Sequence, residues 1–68
     1  MSQSTNMPNA KADHHTKAAE CCNSAAQSHN DAAKSATSGD HSKAAEHAKN
    51  AQDHVVKAQD HGKQAAAA

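Results

Sequence analysis

The chain lacks the large aliphatic and aromatic side chains from which protein cores are usually built. It contains no Phe, Trp, Tyr, Leu or Ile, and its apolar residues are 18 Ala, two Val, two Met and two Cys among 68 residues. Burying a CH₂-sized group contributes only about 0.8 kcal/mol, whereas ordering costs roughly 1.5 kcal/mol per residue. A monomeric globule is therefore not expected, and we expect self-association, a metal ion or a partner to supply part of the stability.

The charge balance argues against several classes of partner. Seven Lys, no Arg and seven acidic residues give a formal net charge of zero at pH 7. Without a basic patch, an Arg or an aromatic stacking group, the chain is not expected to bind nucleic acid. An anionic membrane surface is not an expected partner either.

Targeting signals are not evident in the sequence. No apolar run approaches the length of about 20 residues that a membrane span needs, and the first residues lack the basic and apolar regions of a signal peptide. The adjacent Cys21 and Cys22 do not make a disulfide framework. We therefore expect a protein of the reducing cytoplasm.

The first helix is expected to follow a polar lead-in. Residues 1–9 are polar, contain Pro8 and are predicted to be a disordered segment, with Asn9 or Asn6 near the N-cap. Residues 10–36 contain no Gly or Pro and are rich in residues that favour helix. This stretch is therefore predicted to be one continuous helix.

A single internal turn signal follows, the sequence TSGD at 37–40. Gly39 suits the left-handed position that ends a helix, and Asp40 suits the N-cap of the next helix. Residues 41–64 are predicted to form that second helix, and the alanine tail at 65–68 is expected either to extend it or to fray.

The pattern H-[ST]-K-A-A-E occurs twice, at 15–20 and 41–46. Around both copies, small residues recur at alternating steps of three and four, which predicts a narrow heptad seam. The predicted seam positions are 15, 18, 22, 25, 29, 32 and 36 in the first helix and 41, 44, 48, 51, 55, 58 and 62 in the second. The fold prediction is an all-α antiparallel two-helix hairpin over residues 10–68 with an alanine-rich heptad seam.

A second stripe of alanines widens the apolar arc of the first helix. It consists of Ala12, Ala19, Ala26 and Ala33, which recur every seven residues. One partner helix does not cover this arc, so we expect homodimerisation of two hairpins into a four-helix bundle.

Histidine and cysteine are the candidate metal ligands. If facing residue numbers add to about 80, Cys21 lies near His61 and Ser28 lies near His54. The predicted ligand cluster is Cys21, Cys22 and His61 with His14 or His15, and His54 is a further candidate. Thiolate and imidazole together suit Zn²⁺, Cu(I) or Ni²⁺. The alternative interpretation is that the histidines are solvated and that Cys22 is a small buried seam residue.

The stretch KSATSGDHSKAAEHAKNAQDHVVKAQDH resembles a group of small bacterial proteins rich in His and Ala. Their pattern is a His/Ala helix, an A-G-[DN]-H-x-K-A-A turn and a second His/Ala helix. The motif positions match here from Ser38 to His54, and the resemblance as a whole covers about half the chain. The resemblance implies a helical hairpin without an assigned biochemical function. The chain has only one His-His doublet, and its Cys21-Cys22 pair is not part of that pattern.

Three functional hypotheses follow from these observations. The first is a small non-enzymatic protein that binds or buffers soft and borderline metal ions through His and Cys. The second is a stress- or desiccation-type hydrophilic helical protein, suggested by a mean hydropathy of −1.03. The third is an interaction module that docks its alanine face on a helix of a protein partner. Catalysis is not expected, because two thin helices cannot enclose a pocket for substrate.

Overall fold

Two long helices make up the computed structural model, which describes residues 9–68. The first, α1, spans Ala10–Thr37, and the second, α2, spans His41–Ala67. They pack against each other along their lengths, which confirms the predicted all-α hairpin. The predicted disordered lead-in lies outside the described residues, except for Asn9.

Both helices begin at predicted capping residues. The Asn9 side-chain Oδ1 accepts a hydrogen bond of 3.0 Å from the backbone N–H of Ala12. The Asp40 Oδ1 accepts one of 3.0 Å from the backbone N–H of Lys43. Each cap satisfies an amide that the first helical turn leaves without an intrahelical acceptor.

The reversal between the helices depends on Gly39. Its φ of +88° lies in the left-handed region that residues with a Cβ rarely adopt. The Gly39 N–H donates to the Ala36 carbonyl at 3.1 Å, and the Asp40 N–H donates to the Ser35 carbonyl at 2.8 Å. These bonds close the end of α1 and reverse the chain within residues 38–40.

The helices meet along a seam of small and polar side chains. Its buried residues are Ala25, Ala51 and Ala65, with exposures of 5%, 0% and 0%. Half-buried residues of the same seam are His14, Ala18, Cys21, Ser28, Ala32 and Ser35 on α1 and Ala44, His47, His54, Ala58 and His61 on α2. Successive seam residues are three or four positions apart, which is the predicted heptad spacing.

Six of the fourteen predicted seam positions are nevertheless exposed, whereas Val55 and Gly62 are half-buried. The alanines at 18, 25, 32, 44, 51 and 58 lie in the seam as predicted. The exposed members of the predicted set are His15, Cys22, His29, Ala36, His41 and Ala48. On α1, the seam uses the residue just before each exposed one. Neighbouring residues of α1 are similar at these positions, as in His14-His15. A seam through the first residue of each such pair therefore fits the sequence as well as a seam through the second.

The hairpin is a slab one helix thick. Its principal extents are 49, 25 and 11 Å. No other part of the described chain covers either broad side of the slab. Within residues 9–68, neither helix is long and apolar enough to cross a membrane.

Candidate metal centre

Two imidazole rings, from His14 and His61, face each other near the open end of the hairpin. Their Nδ1 atoms are 3.4 Å apart. The ring centroids are 5.7 Å apart, with 29° between the planes. Both side chains are half-buried, so the pair is partly shielded from water yet remains accessible to an ion.

The two facing Nδ1 atoms are stable at this distance only with a proton or a cation between them. A neutral imidazole has one N–H donor and one acceptor nitrogen. Two unprotonated Nδ1 lone pairs aimed at each other repel, unless one nitrogen carries a proton or both bind the same cation. The Nδ1 contact between His14 and His61 is therefore either a hydrogen bond, set by the tautomers, or a chelate.

The pair also defines the register of the hairpin. The residue numbers of His14 and His61 add to 75. In this register each seam alanine of α1 lies opposite a seam alanine of α2, and the residue numbers of each such pair add to 76. Two further polar pairs follow at the same sum. They are Cys21 with His54 and Ser28 with His47, and all four residues are half-buried. Successive polar pairs are seven residues, or about 10.5 Å, apart along the seam.

The resulting arrangement is a ladder of polar layers separated by alanine layers. The polar layers are His14/His61, Cys21/His54 and Ser28/His47. The alanine layers between and beyond them are Ala18/Ala58, Ala25/Ala51 and Ala32/Ala44. An alanine layer has only methyl groups between the backbones, so it lets the helices approach closely and brings the His14 and His61 rings into contact.

Among the predicted ligands, the structure brings His14 and His61 together. Cys21 was expected beside His61, but the register places it one heptad away, at the level of His54. The sum is 75 and not about 80, because the chain reverses about residues 37 and 38 and not around residue 40, as the bond between the Asp40 N–H and the Ser35 carbonyl, at the same sum, shows. The predicted proximity of Cys21 to His61 is therefore wrong.

Cys22 lies apart from the other candidate ligands. It is exposed, whereas Cys21 is half-buried. The alternative prediction, which made Cys22 a small buried seam residue, is also wrong. Within residues 9–68, no group of three or more His, Cys, Asp or Glu side chains is arranged to hold a metal ion. The predicted cluster of Cys21, Cys22, His61 and His14 is accordingly not assembled around one point.

The separation of the His14 and His61 nitrogens matches a metal chelate. Zinc binds imidazole nitrogen at about 2.0–2.1 Å, so two ligands of a tetrahedral ion lie about 3.3–3.4 Å apart. The observed 3.4 Å equals this spacing, but the centroid separation of 5.7 Å places both Nδ1 atoms on the line between the rings, so each ring must turn by about 35° to aim its lone pair at a shared tetrahedral ion.

Sequence reasoning did not identify His47 as part of the seam. His47, His54 and His61 are spaced seven apart, and all three are half-buried on one line of α2. Their spacing was visible in the sequence, but it was interpreted as a flank of the seam. The sequence analysis placed this line opposite His14, Cys21 and Ser28, but only the register of the turn shows which residues of the two lines lie at the same level.

The described residues enclose no cavity. No protein-family model matches the chain, and no curated protein or solved structure is significantly similar to it. The function must therefore be inferred from the geometry of the seam and of the surfaces beside it.

Proposed function

We propose that this is a small non-enzymatic helical protein that binds and buffers borderline metal ions, with Zn²⁺ or Ni²⁺ held between His14 and His61. The observation that supports this function is the 3.4 Å separation of the two Nδ1 atoms. Imidazole suits both ions. Two protein ligands leave positions on the ion for water or a small ligand, unlike the closed four-ligand sites of structural zinc. Such an open site favours exchange of the ion, as buffering requires.

The Cys21/His54 layer is a second, softer pair of ligands. A thiolate with an imidazole suits Zn²⁺ or Cu(I). About 10.5 Å along the helices separates this layer from the histidine pair. One ion cannot bridge the two layers, so the proposal gives each layer its own ion.

Calorimetric titration of reduced protein with Zn²⁺ tests the histidine site. The Cys21→Ser background isolates it, and each further variant is compared in that background. His14→Ala and His61→Ala should each weaken zinc binding by more than the roughly 10–100-fold that loss of a supporting outer-shell partner costs. His15→Ala is the matched control, because it removes the exposed neighbour of His14. Equal losses in the His14 and His15 variants would contradict the proposal.

A specific observation favours one alternative, a stress- or desiccation-type helical protein. The only buried residues of the described chain are three alanines, and so small a core makes folding sensitive to conditions. This alternative predicts low helicity by circular dichroism in dilute buffer, a rise on crowding or drying and no response to Zn²⁺. That pattern, together with no calorimetric zinc binding, would replace the metal proposal. The helix-docking module and the cytoplasmic location stay predictions.

A further inference from the structure

One broad side of the hairpin carries no charged residue. We call it the uncharged face, and it comprises the residues that follow the seam positions by one, together with Ala12 on the same line of α1. On α1 these are Ala12, His15, Ala19, Cys22, Ala26, His29, Ala33 and Ala36. On α2 they are Ala45, Ala48, Gln52, Val55, Gln59, Gly62 and Ala66. All are exposed except Val55 and Gly62, which are half-buried.

The two lines of residues lie on the same side of the slab. A residue one position further along a helix is rotated by about 100° in the right-handed sense. Because α1 and α2 run in opposite directions, this rotation turns both lines towards the same side. The uncharged face is therefore continuous across both helices.

The opposite side of the slab holds most of the charge. It comprises the residues that precede the seam positions by one. Its Lys, Asp and Glu residues are Asp13, Lys17, Glu20, Asp31 and Lys34 on α1 and Lys43, Glu46, Asp53, Lys57 and Asp60 on α2. None of the chain's seven Lys and seven acidic residues lies on the uncharged face. Such segregation is what a helix pair shows when one side faces water and the other a protein surface.

The size of this face suits a stable dimer. The helices have 28 and 27 residues, which makes each about 40 Å long, and two helices about 10 Å across present roughly 800 Å². A standard protein interface buries about 800 Å² on each partner. The hairpin alone buries only Ala25, Ala51 and Ala65 within residues 9–68, so a second interface would add apolar contact that the single chain lacks.

The residues of the face complement one another. On α1 the face repeats the seam almost residue for residue, with His15 beside His14, Ala19 beside Ala18 and Cys22 beside Cys21. In the proposed packing, α1 of one copy lies antiparallel on α2 of the other. If the residue numbers of facing positions add to 77 or 78, larger residues of one helix lie opposite small residues of the other. These pairs include His15 with Gly62, Ala19 with Gln59, Ala26 with Gln52 and His29 with Ala48. The same register pairs Cys22 with Val55.

We propose that the uncharged face binds the same face of a second copy of this chain. α1 packs on α2 of the partner subunit, and the two hairpins form a four-helix bundle in which neighbouring helices are antiparallel. The interface does not use the ligand pairs of the seam. The dimer is therefore tested in the presence of a chelator, without metal, and the result does not depend on whether the metal proposal is correct.

Sedimentation equilibrium of the reduced protein tests the surface with two adjacent substitutions. Ala26→Glu places a carboxylate at the centre of the uncharged face, and Gln27→Glu places one on the charged side. A buried carboxylate without a partner should weaken the dimer at least about 100-fold, whereas Gln27→Glu should leave it unchanged. A wild-type chain that stays monomeric at millimolar concentration, or equal effects of the two variants, would overturn the proposal.

Disulfide mapping tests the arrangement of the helices. The Cys21→Ser/Val55→Cys variant contains two thiols, at positions 22 and 55, and is prepared as a mixture of ¹⁴N- and ¹⁵N-labelled chains. Mild oxidation should yield covalent dimers joined between position 22 of one chain and position 55 of the other, seen as mixed-isotope peptides. Bonds that join Cys22 to Cys22 instead would mean that α1 packs on α1, which would overturn the arrangement. Oxidation of the same variant carrying Ala26→Glu should yield few covalent dimers.

Discussion

The Nδ1 atoms of His14 and His61 lie 3.4 Å apart although the residues are 47 positions apart in the chain. An ion shared between them would join the free ends of α1 and α2, at the end of the hairpin opposite the turn. Because the unfolded chain cannot hold the two nitrogens at this distance, such an ion would stabilise the folded hairpin.

Zinc should therefore raise the melting temperature of the protein. At a free concentration of 100 times Kd, a ligand that binds only the folded state adds about 2.7 kcal/mol. For a domain of this size, that corresponds to an increase of about 10–20 °C in Tm. Circular dichroism melting with and without Zn²⁺ measures this shift in the Cys21→Ser background.

His61→Ala in that background should abolish the zinc-dependent shift, and His15→Ala should preserve it. Acid should abolish it as well, because protons compete with the ion for the imidazole nitrogens. A shift that survives His61→Ala would place the ion elsewhere on the chain.

The two cysteines should differ in their response to zinc. Cys22 is exposed, whereas Cys21 is half-buried in the seam at the level of His54. In the Cys22→Ser variant, Zn²⁺ should slow alkylation of Cys21 by iodoacetamide, because the metal binds the thiolate that reacts. In the Cys21→Ser variant, alkylation of Cys22 should be faster and insensitive to Zn²⁺.

Mass spectrometry follows the alkylated fraction with time. Both variants carry Ala26→Glu, so that dimerisation does not cover Cys22. If Zn²⁺ slowed alkylation of Cys22 and not of Cys21, the thiolate that binds the metal would be the exposed Cys22, which contradicts the proposed site at Cys21 and His54.

The helix starts and the turn were predictable because they depend on local chemistry, whereas α2 runs to Ala67 and not to the predicted residue 64. Asn9, Gly39 and Asp40 act within one turn of the chain, and each occupies the predicted position. The seam was harder to predict, because His14-His15 and Cys21-Cys22 make two lines of α1 almost equivalent in composition. The choice between those lines depends on the rotation that the turn imposes, which no single residue type encodes.

The ligand pairs were mispredicted for a related reason. A change of a few residues in the position of the reversal shifts the facing pair by a whole heptad, from Cys21/His61 to Cys21/His54. The heptad repeat makes both registers similar in residue type, so composition does not discriminate between them. Closure of the turn, with the Asp40 N–H bonded to the Ser35 carbonyl, selects one.

The two glycines should respond in opposite directions to alanine. Gly39→Ala places a Cβ at a φ of +88°, which should destabilise the hairpin by about 1–2 kcal/mol. Gly62 lies within α2, and a Cβ there meets no atom within 4 Å. Gly62→Ala should stabilise the protein by about 0.5–1 kcal/mol, because alanine is the better helix former.

Urea unfolding of both variants in the Ala26→Glu background measures these effects on the monomer. A Gly39→Ala variant as stable as its parent would show that Gly39 does not need its left-handed conformation in solution, whereas a destabilising Gly62→Ala would contradict the open space around Gly62.

The distance between the helices should control zinc affinity, and a residue that is not itself a ligand, Ala58, should help to set that distance. Ala58 occupies the alanine layer next to the His14/His61 pair, opposite Ala18, and is half-buried. Ala58→Leu should push the helices apart there and destabilise the hairpin by about 1–3 kcal/mol. A separation of 1–2 Å would move the two Nδ1 atoms outside the span of about 3.3–3.4 Å that a tetrahedral ion bridges, so zinc should bind about tenfold more weakly or worse.

Lys57→Leu is the matched control for this last substitution, because it adds the same side chain to the exposed charged side of α2. Calorimetric titration and urea unfolding are made on both variants in the Cys21→Ser/Ala26→Glu background. Ala58→Leu should lower both zinc affinity and stability, and Lys57→Leu should change neither by more than about 0.5 kcal/mol. Unchanged zinc affinity in Ala58→Leu would mean that the rings adjust to the wider seam, and that the alanine layers do not set the geometry of the site.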